Sequence, residues 1–219
     1  MIKKTEKVKK MTKTEAYKFI TKGNHKLSPD VCSFDLPVTE MVCGKKAVNT
    51  CMKDCYARKP QVQYPKCLPS RERKLAFSKS PSFTSWMLKA IETLKPKYFR
   101  WHTSGEVYSQ EYLDKIVTIC KATNHISPHT RFYMYTKRLE DFDFTEALKL
   151  DNLVIIDSLM YDGLNFGVID KAPKGSFICP DYKGSAMRIK TPKGPICGLD
   201  CTYCMTKRAQ DKGVYFVQH

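Results

Sequence analysis

Seven of the ten cysteines in this chain of 219 residues fall into two groups whose spacing suits metal chemistry. The first group is a C-x7-C-x3-C run formed by Cys43, Cys51 and Cys55. Closely spaced thiolates let one segment wrap one metal centre, and these soft ligands suit zinc and iron–sulfur clusters. The second group is a C-x3-C-x2-C run with a fourth candidate thiol upstream, and its members are Cys179, Cys197, Cys201 and Cys204.

The spacing leaves the metal open between an iron–sulfur cluster and zinc. A structural zinc site takes four ligands, whereas the first group offers three without an obvious fourth. Three thiolates on a [4Fe–4S] cluster would leave one iron open to a substrate or cofactor. The second group offers four thiols, which suits either a closed cluster or zinc. The number of centres, one or two, also stays open.

The other three cysteines are expected to lie outside these sites. Cys32 falls in a predicted strand and Cys120 on the apolar side of a predicted helix, so both are interpreted as buried small hydrophobic residues. Cys67 stands at a loop-to-helix junction, where the pattern weighs against a ligand role.

The composition indicates which binding partners and which cellular compartment to expect. A net charge of +16 favours contact with a polyanion such as nucleic acid, although a lysine-rich proteome would produce the same balance. The first twenty residues lack the apolar core of a secretory signal, and no apolar run reaches the roughly 18 residues of a membrane span. We therefore expect no membrane contact and a cytoplasmic location, where thiols stay reduced.

Strands alternate with helices through the middle of the chain, which predicts parallel pairing. The predicted helices include one capped by Ser82 and one capped by Ser109. We predict a partial or irregular parallel (β/α) barrel of the TIM type over residues 31–219, with a basic helix or arm over residues 1–30. The predicted strands are "VCSFDLPV", "KYFRWHT", "RFYMYT", "NLVIIDSL", "NFGVID" and "SFICP".

Active sites of such folds lie where strands deliver their carboxyl ends. His102 is interpreted as a ligand or acid–base group, Glu106 as a carboxylate that orients an amine, and Tyr56 as a shield over a cluster. Both cysteine groups are predicted to lie in loops at this same face. The remaining strand-end residues are Thr103, Ser104, Gly105, Thr136, Lys137, Asp157 and Ser158.

The stretch "CGLDCTYC" resembles the C-x3-C-x-aromatic-C signature of radical S-adenosylmethionine enzymes. "HTSGE", residues 102–106, is similar to the Gly-Gly-Glu element with which that family holds the methionine amino group. The resemblance implies a [4Fe–4S] cluster, S-adenosylmethionine as cofactor, and Gly105 and Glu106 as its amino-group contacts.

A wider set of motifs comprises "GNHKLSPDVCSFDLP", the C-x7-C-x3-CYA run, "WHTSGEVYSQEYL", "FYMYTK", the Cys179–Pro180 pair, the C-terminal cysteines and the closing "VYFVQH". Together these motifs resemble the phage gene-product-88 family. This resemblance implies phage origin, the host cytoplasm, and the seven grouped cysteines as shared thiols.

The expected function is therefore that of a phage-encoded iron–sulfur protein with radical S-adenosylmethionine-like or redox chemistry. Two alternatives remain at this point: a zinc-stabilised, basic nucleic-acid-binding module without catalysis, and an electron carrier. Whether the protein is an enzyme is left open.

Overall fold

The computed structural model describes residues 10–23, 27–49, 51–53, 55–158, 177, 179, 201–212 and 214. Within them the chain forms a mixed α/β fold around a five-stranded sheet, whose strand order is the order in the chain. The first two strands pair antiparallel, and the second to the fifth run parallel. The strands are β1 (Thr21–Lys22), β2 (Val31–Phe34), β3 (Tyr98–Trp101), β4 (Arg131–Thr136) and β5 (Leu153–Asp157).

The parallel α/β arrangement confirms the prediction from strand–helix alternation. Its closure into a barrel is not seen, because β1 and β5 do not pair with each other within the described residues. The predicted strand "NFGVID" lies outside the described residues, as does most of "SFICP". No helix in the described ranges is long and apolar enough to cross a membrane.

Helices fill the connections between the parallel strands. Ser109 caps α6 as predicted, since its hydroxyl accepts the Tyr112 backbone N–H at 3.2 Å. Ser82 stands before α5, but the predicted cap bond is absent because its hydroxyl lies 3.1 Å from the Ser80 hydroxyl instead. The helices are α1 (Lys13–Ala16), α2 (Glu40–Asn49), α3 (Arg58–Gln63), α4 (Cys67–Ser78), α5 (Phe83–Leu94), α6 (Gln110–Ile126), α7 (Thr145–Leu148) and α8 (Lys207–Lys212), with a 3₁₀ turn at Tyr203–Met205.

One side of the sheet is apolar throughout, and we call it the helix side. Alternate residues of each strand point to this side, so that the register stacks them in rows across β2 to β5. α1, α5 and α6 supply facing side chains such as Ala16, Met87 and Ile116. The strand residues on this side are Cys32, Phe34, Phe99, Trp101, Phe132, Met134, Leu153 and Ile155.

The opposite side, which we call the second side, mixes apolar and polar residues. Ser33, Arg100, Tyr133 and Val154 form one row across the four parallel strands. The Arg100 guanidinium lies 5.9 Å from the centre of the Tyr133 ring and 5.1 Å from that of Tyr135. Met205, Ala209 and Val214 pack in the same cluster as Tyr133, Val154 and Ile156. β5 is thus covered on both faces, as its continuous apolar run predicted.

Candidate metal and cofactor site

Polar residues at the carboxyl ends of β2 and β3 form a connected buried set around Asp35. The Asp35 Oδ1 atom accepts hydrogen bonds from the Thr103 backbone N–H at 2.9 Å and from its hydroxyl at 2.6 Å. The Ser33 hydroxyl donates to Oδ2 at 2.9 Å. The sequence analysis did not identify Asp35, although this residue directly follows strand β2. It did identify Asp157, which is the last residue of β5.

Asp35 carries a buried negative charge that Lys74 balances. Burial would raise the pKa of Asp35, but the Lys74 charge and the hydrogen bonds from Thr103 and Ser33 outweigh it and hold the pKa below 3.8. Burial in turn lowers the pKa of Lys74, whose ammonium donates to the Thr21 hydroxyl at 2.8 Å. No sequence signal marked Lys74, which lies within a polar helix.

The loop at residues 102–106 is held against the segment that follows β2. The Leu36 N–H donates to the Ser104 carbonyl at 2.9 Å, and the Ser104 hydroxyl donates to the Leu36 carbonyl at 2.7 Å. Gly105 has a φ of +79°, and a Cβ there would lie 2.6 Å from the Leu36 Cβ. This position therefore requires glycine for both its backbone angle and its close approach.

His102 faces helix α6 and not the open edge of the sheet. Its Nε2 atom lies 2.9 Å from the Tyr112 hydroxyl, and both side chains are buried. Burial is the main reason that the pKa of His102 falls to about 3, so the imidazole is neutral. Its backbone φ of +63° lies in the left-handed region, which marks the loop as locally strained.

Glu106 brings the ends of β3 and β4 together. Its Oε1 atom accepts the Lys137 backbone N–H at 3.2 Å, while Oε2 is buried without a partner among the described residues. Burial, partly opposed by the Lys137 charge and a Thr136 hydrogen bond, raises the pKa of Glu106 to about 7. The Lys137 ammonium donates to the Ser158 carbonyl at 2.7 Å and to its hydroxyl at 2.9 Å. Of the predicted strand-end residues, Glu106, Lys137 and Ser158 therefore converge, whereas His102 contacts Tyr112 on α6.

Cys43 lies on helix α2, so the prediction that this thiol occupies a loop is wrong. The helix is kinked at Gly44, which has a φ of +81° and whose lack of a Cβ leaves room for the Arg138 guanidinium. Arg138 donates to the Val42 carbonyl at 3.3 Å, which anchors the kink to the end of β4. The helix reaches this far because the run around the kink, "EMVC" and "KKAVN", contains helix-forming residues on both sides of the glycine.

The three N-terminal thiols are neighbours beside Glu106. Burial raises the pKa of the Cys43 thiol to about 12, and the nearby Glu106, Cys55 and Cys51 reinforce this shift. Cys51 and Cys55 pack on the helix-side core from the turns after α2. The hydroxyl of Tyr56 donates to the Thr103 carbonyl at 2.7 Å, which ties the Cys55 turn to the loop at residues 102–106.

Two of the C-terminal thiols, those of Cys179 and Cys204, lie on the other side of the sheet. Cys179 belongs to the second-side cluster and Cys204 packs against it. The Cys204 thiol is hydrogen-bonded to Tyr135, the next-to-last residue of β4, and burial raises the pKa of that tyrosine well above 10. Cys201 is half-buried, and Cys197 lies outside the described residues. β4 thus has the first thiol group near its end on one side and Cys204 near its end on the other.

The cysteines that sequence analysis set aside lie elsewhere. Cys32 and Cys120 are buried in the helix-side core, which confirms their structural interpretation. Burial raises the pKa of Cys32 to about 11 and that of Cys120 further. Cys67 begins α4 and is half-buried.

The thiols of this site are chemically suitable ligands for a metal centre. The described side chains do not, however, surround a metal position. Within the described ranges, no three His, Cys, Asp or Glu side chains converge closely enough to hold a metal ion. The nine described cysteines are present as thiols. Three thiols beside one buried carboxyl with an unpartnered oxygen nevertheless supply the soft ligands that iron–sulfur clusters and zinc require.

The fold and this site define an α/β protein whose parallel sheet carries thiols and buried carboxyls at its carboxyl edge. The family model for gene product 88 matches residues 2–183, and the chain belongs to this family of phage proteins. The matched range includes Cys43, Cys51, Cys55, Cys179 and the loop at residues 102–106, and it ends before Cys197. Comparison with curated proteins and with solved structures finds no match.

Proposed function

We propose that this gene product 88 protein binds an iron–sulfur cluster and that Cys43, Cys51 and Cys55 are its thiolate ligands. The observation that carries the proposal is the buried position of the Cys43 thiol, whose pKa is raised first by burial and then by the nearby Glu106, Cys55 and Cys51. Coordination would draw the three sulfur atoms closer together than they stand without metal. Zinc in place of the cluster is the alternative that the first experiment below decides.

The electrostatics of the site favour a cationic centre. A buried carboxyl and three neighbouring thiols are all acids, so each opposes ionisation of the others. Thiols must lose their protons to bind metal, and the charge of a bound metal stabilises the thiolates that burial alone disfavours. A bound metal would therefore stabilise the thiolate form most at Cys43, which is the most deeply buried of the three thiols.

We further propose S-adenosylmethionine as a cofactor, in line with the radical enzymes that the sequence resembles. Three-thiolate ligation leaves one iron of a [4Fe–4S] cluster open, and such a cluster, when bound, supplies one-electron chemistry. The protein's own part would be to hold the cofactor's ammonium, because the Glu106 Oε2 atom, which has no partner among the described residues, would accept charge-assisted hydrogen bonds. Gly105 would set the loop that presents this carboxyl.

Two structural roles complete the proposal. His102 would position the loop through Tyr112 and would not transfer protons, because its neutral ring is buried away from the edge. The chain-order arrangement of β2 to β5 is that of consecutive barrel strands, and this supports a partial barrel as the complete fold. A second ligand set is proposed on the second side, formed by Cys179, Cys197, Cys201 and Cys204.

The metal is tested by anaerobic purification with ample iron, followed by iron, sulfide and zinc analysis. We expect iron with acid-labile sulfide and absorption near 400 nm. Cys55→Ala should lower the iron content, whereas Cys67→Ala, a control at another half-buried thiol, should leave it unchanged. Stoichiometric zinc without sulfide would overturn the cluster and favour a zinc-stabilised protein.

The cofactor is tested by calorimetry of the reconstituted, reduced protein with S-adenosylmethionine, and by a search for 5′-deoxyadenosine. Glu106→Gln should weaken binding by about tenfold, since a charge-assisted hydrogen bond becomes a neutral one. A protein that carries the cluster but binds no cofactor at millimolar concentration would instead be an electron carrier.

A further inference from the structure

A shallow basic depression lies on the surface beside Cys55. Its volume is about 500 Å³, and none of the described residues that line it is acidic. Tyr56 and Tyr64 flank helix α3 next to it and are 64% and 57% exposed. We call these residues together the basic patch: Lys53, Cys55, Tyr56, Arg58, Lys59, Val62, Gln63 and Tyr64.

The cations of the basic patch differ from many others on the surface. Lys46, Lys115, Lys121 and Lys149 are each paired with a glutamate. The three cations of the patch form no ion pair with any described residue. Three cations around one depression, none of them paired with a described residue, attract an anion with several charges more strongly than a single cation does.

The aromatic residues of the basic patch favour one class of anion as its binding partner. The Tyr56 ring stays exposed while its hydroxyl is fixed to the Thr103 carbonyl at 2.7 Å, so the ring is held in place before any partner arrives. Fixed aromatic rings among cations are the means by which proteins bind single-stranded nucleic acids, through base stacking and phosphate contacts. In a duplex the bases already stack on each other, so their faces are covered.

We propose that the basic patch binds single-stranded nucleic acid. Lys53, Arg58 and Lys59 contact the phosphates, and the exposed ring of Tyr56 stacks on a base. Tyr64 and Val62 extend the apolar contact along α3. The inference does not depend on the proposed cluster, but it would place a strand directly beside Cys55 and hence beside the cluster.

The test is fluorescence anisotropy with labelled single-stranded RNA and DNA of about 12 nucleotides, within the usual site size for such surfaces. Replacement of Lys53, Arg58 and Lys59 by glutamine should weaken binding by about tenfold and flatten the slope of log affinity against log salt by about 2. The matched control replaces Lys18, Lys89 and Arg131, exposed cations elsewhere, and should cost less than about threefold.

The aromatic contact is tested separately from the charge. Tyr56→Ala should weaken single-strand binding at least about fivefold and leave duplex binding unchanged, whereas Tyr56→Phe keeps the ring and should lose less. Binding is measured with and without metal, so that a failure of the proposed cluster leaves this result readable. Equal losses in the two triple variants, no effect of Tyr56→Ala, or equal affinity for heparin and for the single strand would each overturn the proposal.

Discussion

The two sides of the sheet bury side chains of different chemistry. On the helix side all eight strand positions in the core are apolar, and four of them are aromatic: Phe34, Phe99, Trp101 and Phe132. Contacts between these rings run from β2 to β4. On the second side the central row carries Ser33, Arg100 and Tyr133.

This difference separates the helix side, which mainly stabilises the fold, from the second side and the carboxyl edge, which carry the polar groups. Apolar packing on the helix side fixes the strands, so that the strand ends stand in a defined order. The buried polar groups Asp35, Arg100 and Tyr135 gather on the second side or at the carboxyl edge, where each needs a specific partner. Four predictions separate these contributions, in order of decreasing expected effect.

The largest effect is expected on the helix side, from Trp101→Ala. The indole is fully buried and stacks on Phe132 at a centroid distance of 6.1 Å, so its removal leaves a large cavity. We expect the free energy of unfolding to fall by about 3–5 kcal/mol, measured by denaturant titration. Trp86→Ala, at a half-buried ring of the same core, should cost clearly less. Equal losses of unfolding free energy in the two variants would mean that the core is packed no more tightly around Trp101 than around Trp86.

Asp35→Asn should lower the unfolding free energy by about 3 kcal/mol, because it leaves the Lys74 charge buried without its partner. Since the folded pKa of Asp35 is depressed, its stabilisation is present above the ordinary value of 3.8 and is lost as pH falls through the folded pKa. The wild-type protein should therefore lose stability in acid more steeply than Asp35→Asn. Parallel pH profiles of unfolding would contradict this assignment.

Gly105→Ala should cost about 1–3 kcal/mol, through its left-handed backbone angle and the contact with Leu36. Thermal unfolding measures the loss. Leu36→Gly in the same chain removes the Cβ that the new methyl group would meet at 2.6 Å, but not the backbone strain, so the double variant should lose less than the sum of the two single variants. Strict additivity would show that the contact contributes nothing.

The smallest effect is expected on the second side, from Tyr135→Phe. This change removes the hydrogen bond to Cys204 and keeps the ring beside Arg100, so we expect a loss of about 1 kcal/mol. Tyr98→Phe, on the same side, should change the unfolding free energy by less than about 0.5 kcal/mol. A larger loss for Tyr98→Phe would mean that the second side depends on more polar contacts than this one.

The sequence by itself determined the elements that have a strong local pattern. The strand at 153–157 and helix α6 follow from apolar runs and from the Ser109 cap, because these signals act within a few residues. The same locality identified the strand-end residues Glu106, Lys137 and Ser158, whose neighbours in the chain are the strands themselves. Family membership, too, was visible in the order of short motifs.

Only the tertiary structure decided which of these residues meet. The spacing of Cys43 from Cys51 did not reveal that a kink at Gly44 keeps Cys43 on a helix, because the kink depends on Arg138, almost a hundred positions away. Asp35 and Lys74 interact although no local pattern links them. Strand register and helix packing determine which residues form such pairs. Register and packing depend in turn on the burial of the whole core, and not on the residues adjacent in the chain.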